Sequence, residues 1–118
     1  MSLKIYQYPN CGTCKKALKW LDAKGLSYDS VDIVETPPTK SELKKMLAQY
    51  DGEIRRLFNT SGQLYREFGI KDKLPTMSDA DAIDLLSQHG KLIKRPFLLT
   101  NDSGLIGFKE PEWDAAIR

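Results

Sequence analysis

The sequence predicts a small α/β domain in which a mixed sheet is flanked by helices, with a helical insertion between the second strand and a C-terminal hairpin. Three observations support this prediction. Strand-like and helix-like apolar patterns alternate at the start of the chain, the middle is helical in pattern, and a turn separates two apolar runs near the end. The 118 residues suffice for one core, so we assign residues 1–118 to a single domain.

The first third of the chain predicts a strand, a helix and a second strand. Residues 3–7 form a short apolar strand, and residues 13–23 place apolar side chains at helical spacing. Gly25 then stands where glycine commonly ends a helix. Residues 28–34 alternate loosely between apolar and polar types and predict the second strand.

Helices are predicted through the middle of the chain. Thr39 and Glu42 have the spacing of a capping box, so a helix is expected to begin there. Residues 51–75 have a weaker pattern that indicates short helices broken at Gly62 and Gly69. This stretch is the predicted insertion.

The last part of the chain predicts a helix, a hairpin and a final helix. Ser78 is a good N-cap for a helix that Gly90 is expected to end. In "RPFLLTNDSGLIGF", an Asn-Asp-Ser-Gly turn separates two apolar runs, which is typical of a hairpin. A short helix beginning near Pro111 would place Trp113 and Ile117 one turn apart. This order of elements is that of thioredoxin-like domains, with the first two strands parallel across a right-handed crossover.

Composition gives no support for several partner classes. With 41% hydrophobic residues, 29% charged residues and a net charge of +2, the chain predicts neither a nucleic-acid groove nor a membrane-binding surface. Its start lacks the pattern of a secretory signal, and no apolar stretch approaches the roughly 20 residues that span a bilayer. We therefore expect a cytoplasmic location, where disulfides are usually transient and catalytic or redox-sensing.

The segment "YQYPNCGTCKKALKWL" contains the only two cysteines of the chain, Cys11 and Cys14, at the junction of the first strand and the first helix. Side chains three residues apart on a helical turn have Cβ atoms about 5–6 Å apart, which a small adjustment brings within disulfide range. The spacing therefore predicts a reversible disulfide between the two.

The two thiols are expected to have different roles. Cys11 would lie near the helix N-cap, where unpaired N–H groups lower the pKa of a thiol, and Lys15 and Lys16 add positive charge nearby. Gly12 would keep the approach to Cys11 open. We therefore predict that Cys11 is the nucleophile and that Cys14 is the resolving thiol.

Other interpretations of the two cysteines have less support. A zinc site needs four ligands, but the chain has no second Cys-x-x-Cys pair and His89 is its single histidine, so we expect no metal. A phosphatase loop would need an arginine where Ala17 stands. We expect His89, at a helix end, to interact with the helix dipole rather than to act as a base. Two inert buried cysteines remain an alternative.

"KRPFLL" is the second informative segment. Only X-Pro bonds have an appreciable cis population, and in this architecture Pro96 would face the cysteine turn in the cis form. Arg95 would then present its charge beside Cys11. The alternative is an ordinary trans proline that begins a strand after a solvated arginine.

The chain resembles the arsenate reductase-like family, which includes the ArsC reductases and the Spx redox regulators. "IYQYPNCGTCKKALKWL", "PPTKSELKKML" and "KLIKRPFLL" are similar to its opening, its second helix and its arginine-proline segment. The resemblance implies a thioredoxin-like fold with a helical insertion, Cys11 as the reactive thiol, and Arg95 and a cis Pro96 beside it.

The sequence also departs from the pattern of the arsenate reductases. Those enzymes carry further oxyanion-binding arginines in the insertion and in the last hairpin, where this chain has Asn59 and either Phe108 or Lys109. They also generally lack the second cysteine, whereas Spx proteins have a pair like Cys11 and Cys14. The chain is thus nearer the Spx side of the family.

Two function classes follow from these observations. The first is a thiol–disulfide oxidoreductase that acts on a small thiol such as glutathione or on a protein disulfide and holds no tightly bound cofactor. Arg95 would hold an anionic group of the substrate, with Gly12, Lys15 and Pro96 positioning it. The second is a redox regulator that binds the C-terminal domain of the RNA polymerase alpha subunit. We favour the enzyme, because Spx regulators usually continue into a longer C-terminal tail; arsenate reduction is the weakest candidate.

Overall fold

A computed structural model describes residues 3–117 and contains one mixed four-stranded sheet. Its strands are β1 (Lys4–Gln7), β2 (Asp29–Asp32), β3 (Phe97–Leu99) and β4 (Gly104–Ile106). Their order across the sheet is β2-β1-β3-β4. β1 pairs with β2 in parallel and with β3 antiparallel, and β3 and β4 form the antiparallel hairpin. The predicted mixed sheet is confirmed.

Six helices accompany this sheet in the described part of the chain. They are α1 (Gly12–Ala23), α2 (Lys40–Gln49), α3 (Gln63–Glu67), α4 (Ile70–Lys73), α5 (Asp79–Gln88) and α6 (Glu110–Ala116). Short 3₁₀ turns lie at Ile54–Leu57, Leu74–Thr76 and Gly90–Leu92. The predicted helical insertion therefore separates β2 from the hairpin. No helix within residues 3–117 is long and apolar enough to cross a membrane.

The predicted helix caps are present. Thr39 Oγ1 accepts the N–H of Glu42 at 3.1 Å, and the Glu42 carboxylate accepts the N–H of Thr39 at 2.9 Å. Ser78 Oγ caps α5 by accepting the N–H of Asp81 at 3.1 Å. Gly25, with φ +71°, occupies the left-handed conformation just past α1 that glycine adopts without strain. Local sequence thus sets the ends of these helices.

The sheet separates two apolar layers. Ile5 and Leu98 contribute to the layer formed with α1 and α6, whereas Tyr6 and Phe97 point to the larger layer on the other face. This alternation follows from the two-residue period of a strand. The rings of Tyr6 and Phe97 meet edge to face at 5.8 Å. The sheet is therefore covered on both faces.

The second strand is shorter than the predicted residues 28–34. It ends at Asp32, whose carboxylate accepts the N–H groups of Val34 at 2.9 Å and of Glu35 at 3.2 Å. A side chain that bonds the backbone two and three residues ahead starts a turn and takes those donors from the sheet. Ile33 lies beyond the strand and is still fully buried. The apolar pattern made the predicted strand too long because burial continues past its end.

Gly90 has a different role from the predicted one. α5 ends at Gln88, and Gly90 opens the 3₁₀ turn that follows, where it is buried. A Cβ atom at this position would overlap the carbonyl group of Ile33. The segment before β3 therefore packs against the end of β2 so closely that a side chain does not fit.

We expect Gly90→Ala to lower the free energy of unfolding by about 3 kcal/mol, because either Ile33 or the 3₁₀ turn must shift. The matched control is Gly12→Ala, since a Cβ at Gly12 meets no atom within 4 Å. That control should change the free energy by less than about 1 kcal/mol. Urea denaturation measures both, and equal effects of the two substitutions would contradict the steric role of Gly90.

Candidate redox site at the first helix

Cys11 is the N-cap residue of α1. Its backbone is extended, with φ −97° and ψ 114°, and its Sγ accepts the backbone N–H of Cys14 at 3.3 Å. The N–H of Cys11 itself donates to the carbonyl of Tyr8 at 3.0 Å. The sulfur thus occupies the position of a capping oxygen at the positive end of a helix. Such a position favours a thiolate.

Cys14 lies one turn further and is fully buried. Burial raises the pKa of its thiol to about 12, and hydrogen bonding with Cys11 acts in the same direction. Both cysteines are free thiols in this structure. Cys14 is therefore protonated at neutral pH.

The pKa of Cys11 moves the other way. Partial burial raises it, but hydrogen bonds from the Cys14 thiol and backbone N–H, together with the nearby Arg95 guanidinium, outweigh burial and hold this pKa below its ordinary value. Its thiolate therefore persists to lower pH than that of Cys14. The two thiols have the unequal acidities that the sequence predicts.

Strand pairing brings Arg95 to this site. Tyr6 of β1 lies opposite Phe97 of β3, so the residues just before β3 lie beside those just after β1. The Arg95–Pro96 peptide bond is cis, as predicted. The guanidinium of Arg95 lies 4.9 Å from the centre of the Tyr8 ring, a cation–π contact that orients it. The role of Tyr8 was not predicted from the sequence. The only feature that could have pointed to it is that it is an aromatic residue between the strand and the cysteines.

Cys11 opens into a cleft of about 320 Å³. The cleft is lined by Cys11, Thr13, Asn59, Lys94, Arg95, Ile106, Gly107, Phe108 and Lys109. Three of these side chains are cationic, and none of the described lining residues is acidic. An anionic group would therefore be attracted to the cleft, next to the thiolate.

The structure brings together some of the predicted site residues and not others. Cys11 and Arg95 share the cleft, and Pro96 is buried next to Arg95. Gly12 and Lys15 are exposed on α1 and do not line the cleft. The cation that lowers the pKa of Cys11 is Arg95.

The positions suggested by the resemblance do lie in the cleft. Asn59 reaches it from the insertion, and Phe108 and Lys109 reach it from the end of the hairpin. Lys94 also lines the cleft, and this was not predicted. The feature that could have indicated it is its basic side chain directly before Arg95 in the sequence.

His89 lies away from this cleft. It is the C-cap residue of α5, where its backbone N–H donates to the carbonyls of Leu85 and Leu86, and its ring packs against Phe68 at 5.2 Å, edge to face. Among residues 3–117, no three His, Cys, Asp or Glu side chains group as metal ligands.

Comparisons with known proteins agree with this geometry. The model of the ArsC family matches residues 6–116. The chain is 43% identical to the uncharacterized protein YusI of Bacillus subtilis, over 97% of both chains. It is 31% identical to an arsenate reductase of Rhizobium meliloti (84% of this chain, 69% of that one), and 28% identical to the regulatory protein MgsR of Bacillus subtilis (93% and 86%).

The fold has a close match among solved structures. A crystal structure of an ArsC family related protein from Bacteroides fragilis superposes with a TM-score of 0.91 at 42% identity, covering 98% of this chain and 97% of that one. The α/β architecture described above is therefore that of the thioredoxin-like ArsC structures.

The placement of Arg95 predicts a shift in the reactivity of Cys11. Arg95→Ala removes a cation that stabilises the thiolate, so the pKa of Cys11 should rise. Alkylation of Cys11 by a neutral reagent at mildly acidic pH should slow several-fold, and its pH profile should move to higher pH. The rate is measured by mass spectrometry of the labelled protein.

The matched control is Lys19→Ala, which removes one exposed positive charge from α1 outside the cleft. It should leave the pH profile of Cys11 in place. An unchanged profile for Arg95→Ala, or labelling of Cys14 before Cys11 in the unmodified protein, would refute the assigned roles.

Proposed function

This chain belongs to the ArsC family, and from that membership and the geometry at Cys11 we propose that it is a thiol–disulfide redox protein working through a reversible Cys11–Cys14 disulfide. Its activity would be that of a glutaredoxin-like or ArsC-like thiol reductase. The observation that carries the proposal is the Cys11 sulfur at the N-cap of α1, bonded by the N–H of Cys14 and close to Arg95.

The reaction proceeds by two thiol–disulfide exchanges. The Cys11 thiolate attacks one sulfur of the substrate disulfide, so that a mixed disulfide forms and the other half leaves as a thiolate that takes a proton from water. Cys14 then loses its proton and attacks the Cys11 sulfur, which closes the intramolecular disulfide and releases the second thiolate. The substrate gains the two electrons that the cysteine pair loses, and an external small thiol such as glutathione reduces the pair again.

Cys14 limits the second exchange. Its thiol is fully buried and has a pKa of about 12, so only a small fraction is thiolate at neutral pH. No Asp, Glu or His is among the described residues that line the cleft and could take its proton. Hydrogen bonding and charge at Cys11 contribute to the raised pKa of Cys14 and are lost in the mixed disulfide, so Cys14 should become more acidic once Cys11 has reacted.

The roles of the two cysteines are separable by substitution. Cys11→Ser should abolish reduction of 2-hydroxyethyl disulfide, because the attacking sulfur is lost. Cys14→Ser should allow the first exchange and then accumulate the mixed disulfide, visible as a mass increase on Cys11 that a reductant reverses. The unmodified protein should end as the intramolecular disulfide, two mass units lighter. Activity that survives in Cys11→Ser would defeat this assignment.

Arsenate reduction has less support. Asn59 and Phe108 line the cleft at the places where the resemblance puts arginines in arsenate reductases, so fewer donors can surround a small oxyanion. Lys109 supplies a charge, but its ammonium lacks the planar fork of a guanidinium.

The second candidate function is a redox regulator of transcription. Its support is the cysteine pair together with the likeness to MgsR, which is named a regulatory protein. In this case the closing disulfide would change a surface that contacts the C-terminal domain of the alpha subunit of RNA polymerase.

Binding of that polymerase domain discriminates between the two candidates. As a reductase, the immobilised chain should retain none of the purified domain, whether the chain is oxidised or reduced. The matched control is immobilised Cys11→Ser, which cannot form the disulfide. Retention by the oxidised chain and not by Cys11→Ser would favour the regulator.

A further inference from the structure

A second, smaller cleft lies beside the Cys11 cleft. Its volume is about 240 Å³, and it is lined by Tyr50, Arg55, Arg56, Phe58, Thr60, Lys94 and Ile106. Lys94 and Ile106 line both clefts. The two clefts are therefore adjacent and share part of their walls.

The two adjacent clefts are strongly cationic. Together they present Arg55, Arg56, Lys94, Arg95 and Lys109. No acidic residue is among the described side chains that line either of them. Five like charges around two adjacent clefts repel one another, so an anion bound among them would relieve an unfavourable field.

The second cleft is held in shape by contacts between distant elements. The N–H of Ile106 donates to Tyr50 Oη at 2.8 Å, which ties the end of α2 to β4. The guanidinium of Arg56 lies 4.5 Å from the centre of the Tyr50 ring. The Glu53 carboxylate is 4.0 Å from Arg56, and both side chains are more than half exposed, so that ion pair is weak. Arg56 is thus oriented without being neutralised.

The shared wall at Lys94 is also braced. The N–H of Lys94 donates to the carbonyl of Leu57 at 2.9 Å, and the N–H of Asn59 donates to the carbonyl of Leu92 at 2.7 Å. These bonds join the insertion to the segment that precedes β3. The backbone segments that carry the charges near Cys11 and near Tyr50 are therefore held together.

We propose that the cleft formed by Tyr50, Arg55, Arg56 and Lys94 is a subsite for an anionic group of the substrate that lies distant from its reacting sulfur. This inference rests on the proposed reductase function and names its substrate class, a small thiol or disulfide with a remote carboxylate or phosphate. Two arginines can each form paired hydrogen bonds to such a group. The subsite would select acidic thiols over neutral ones.

The test measures the first exchange in the Cys14→Ser background, where the reaction stops at the mixed disulfide. Three probes are compared: glutathione disulfide, with carboxylates; oxidised coenzyme A, with phosphates; and neutral 2-hydroxyethyl disulfide. The variant is Arg55→Ala combined with Arg56→Ala. The matched control is Arg66→Ala, an exposed arginine of α3 that lines neither cleft.

The double variant should react roughly five- to tenfold more slowly with at least one charged probe, since exposed charge pairs each contribute a few-fold. The charged probe whose reaction rate falls more in the double variant identifies the bound anion as carboxylate or phosphate. The neutral probe and the Arg66→Ala control should keep the rate of the Cys14→Ser protein. Added salt should reduce the advantage of the charged probes, because it screens the charges of the two clefts.

Two results would overturn the subsite. Either both charged probes react with the double variant at the unmodified rate, or the neutral probe slows by the same factor. A separate measurement keeps this failure distinct from failure of the reductase: of S-methylglutathione and S-methyl coenzyme A, which cannot exchange, at least one should bind Cys11→Ser in calorimetry and bind Cys11→Ser that also carries Arg55→Ala and Arg56→Ala several-fold more weakly. Failure of the neutral probe to modify Cys11 at all would instead refute the reductase proposal.

Discussion

The antiparallel pairing of β3 with β1 is the constraint on which the site depends. Because these strands run in opposite directions, the chain leaves β1 at the same edge of the sheet where it enters β3. α1 starts at that edge with its positive end, and Arg95 arrives there from more than eighty positions along the chain. A helix end and a guanidinium thus act on the same sulfur.

The two cysteines illustrate how burial and position oppose one another within one helical turn. Cys11 is half-buried, which alone would raise its pKa, yet hydrogen bonding from Cys14 and the nearby Arg95 reverse the direction. Cys14 is fully buried, and for it burial dominates. In the proposed reaction Cys11 would attack because its negative charge is stabilised, whereas Cys14 stays neutral because its charge is not. The same turn would then supply both members of an exchange pair.

The features predicted correctly from the sequence are mainly local ones. The capping box at Thr39, the N-cap at Ser78 and the glycine end of α1 depend on residues within one turn of each other. The hairpin is equally local. The position of Arg95 beside Cys11 was the exception, and it required the strand order to be inferred first.

The features that escaped prediction depend on contacts between distant elements. Gly90 looks like a helix terminator in the sequence, but its role follows from packing against Ile33, which no local pattern reports. Lys15 is close to Cys11 in sequence and yet lies outside the cleft, whereas Lys94 is distant in sequence and lines it. Nearness in sequence to Cys11 therefore does not show which charged residues lie at the site, because the strand pairing decides it.

Phe108 gives the cleft a character that charge alone does not. Its ring packs edge to face against Trp113 at 4.9 Å and Trp20 at 6.3 Å, and the indole N–H of Trp113 donates to the Gly107 carbonyl at 3.0 Å. The end of the hairpin is thus fastened to the layer between α1 and α6. The cleft therefore has a fixed aromatic ring among its cationic side chains. An inorganic oxyanion has no apolar surface to place against that ring, whereas the proposed substrate, a small thiol with an anionic group, has both a carbon chain and a charge.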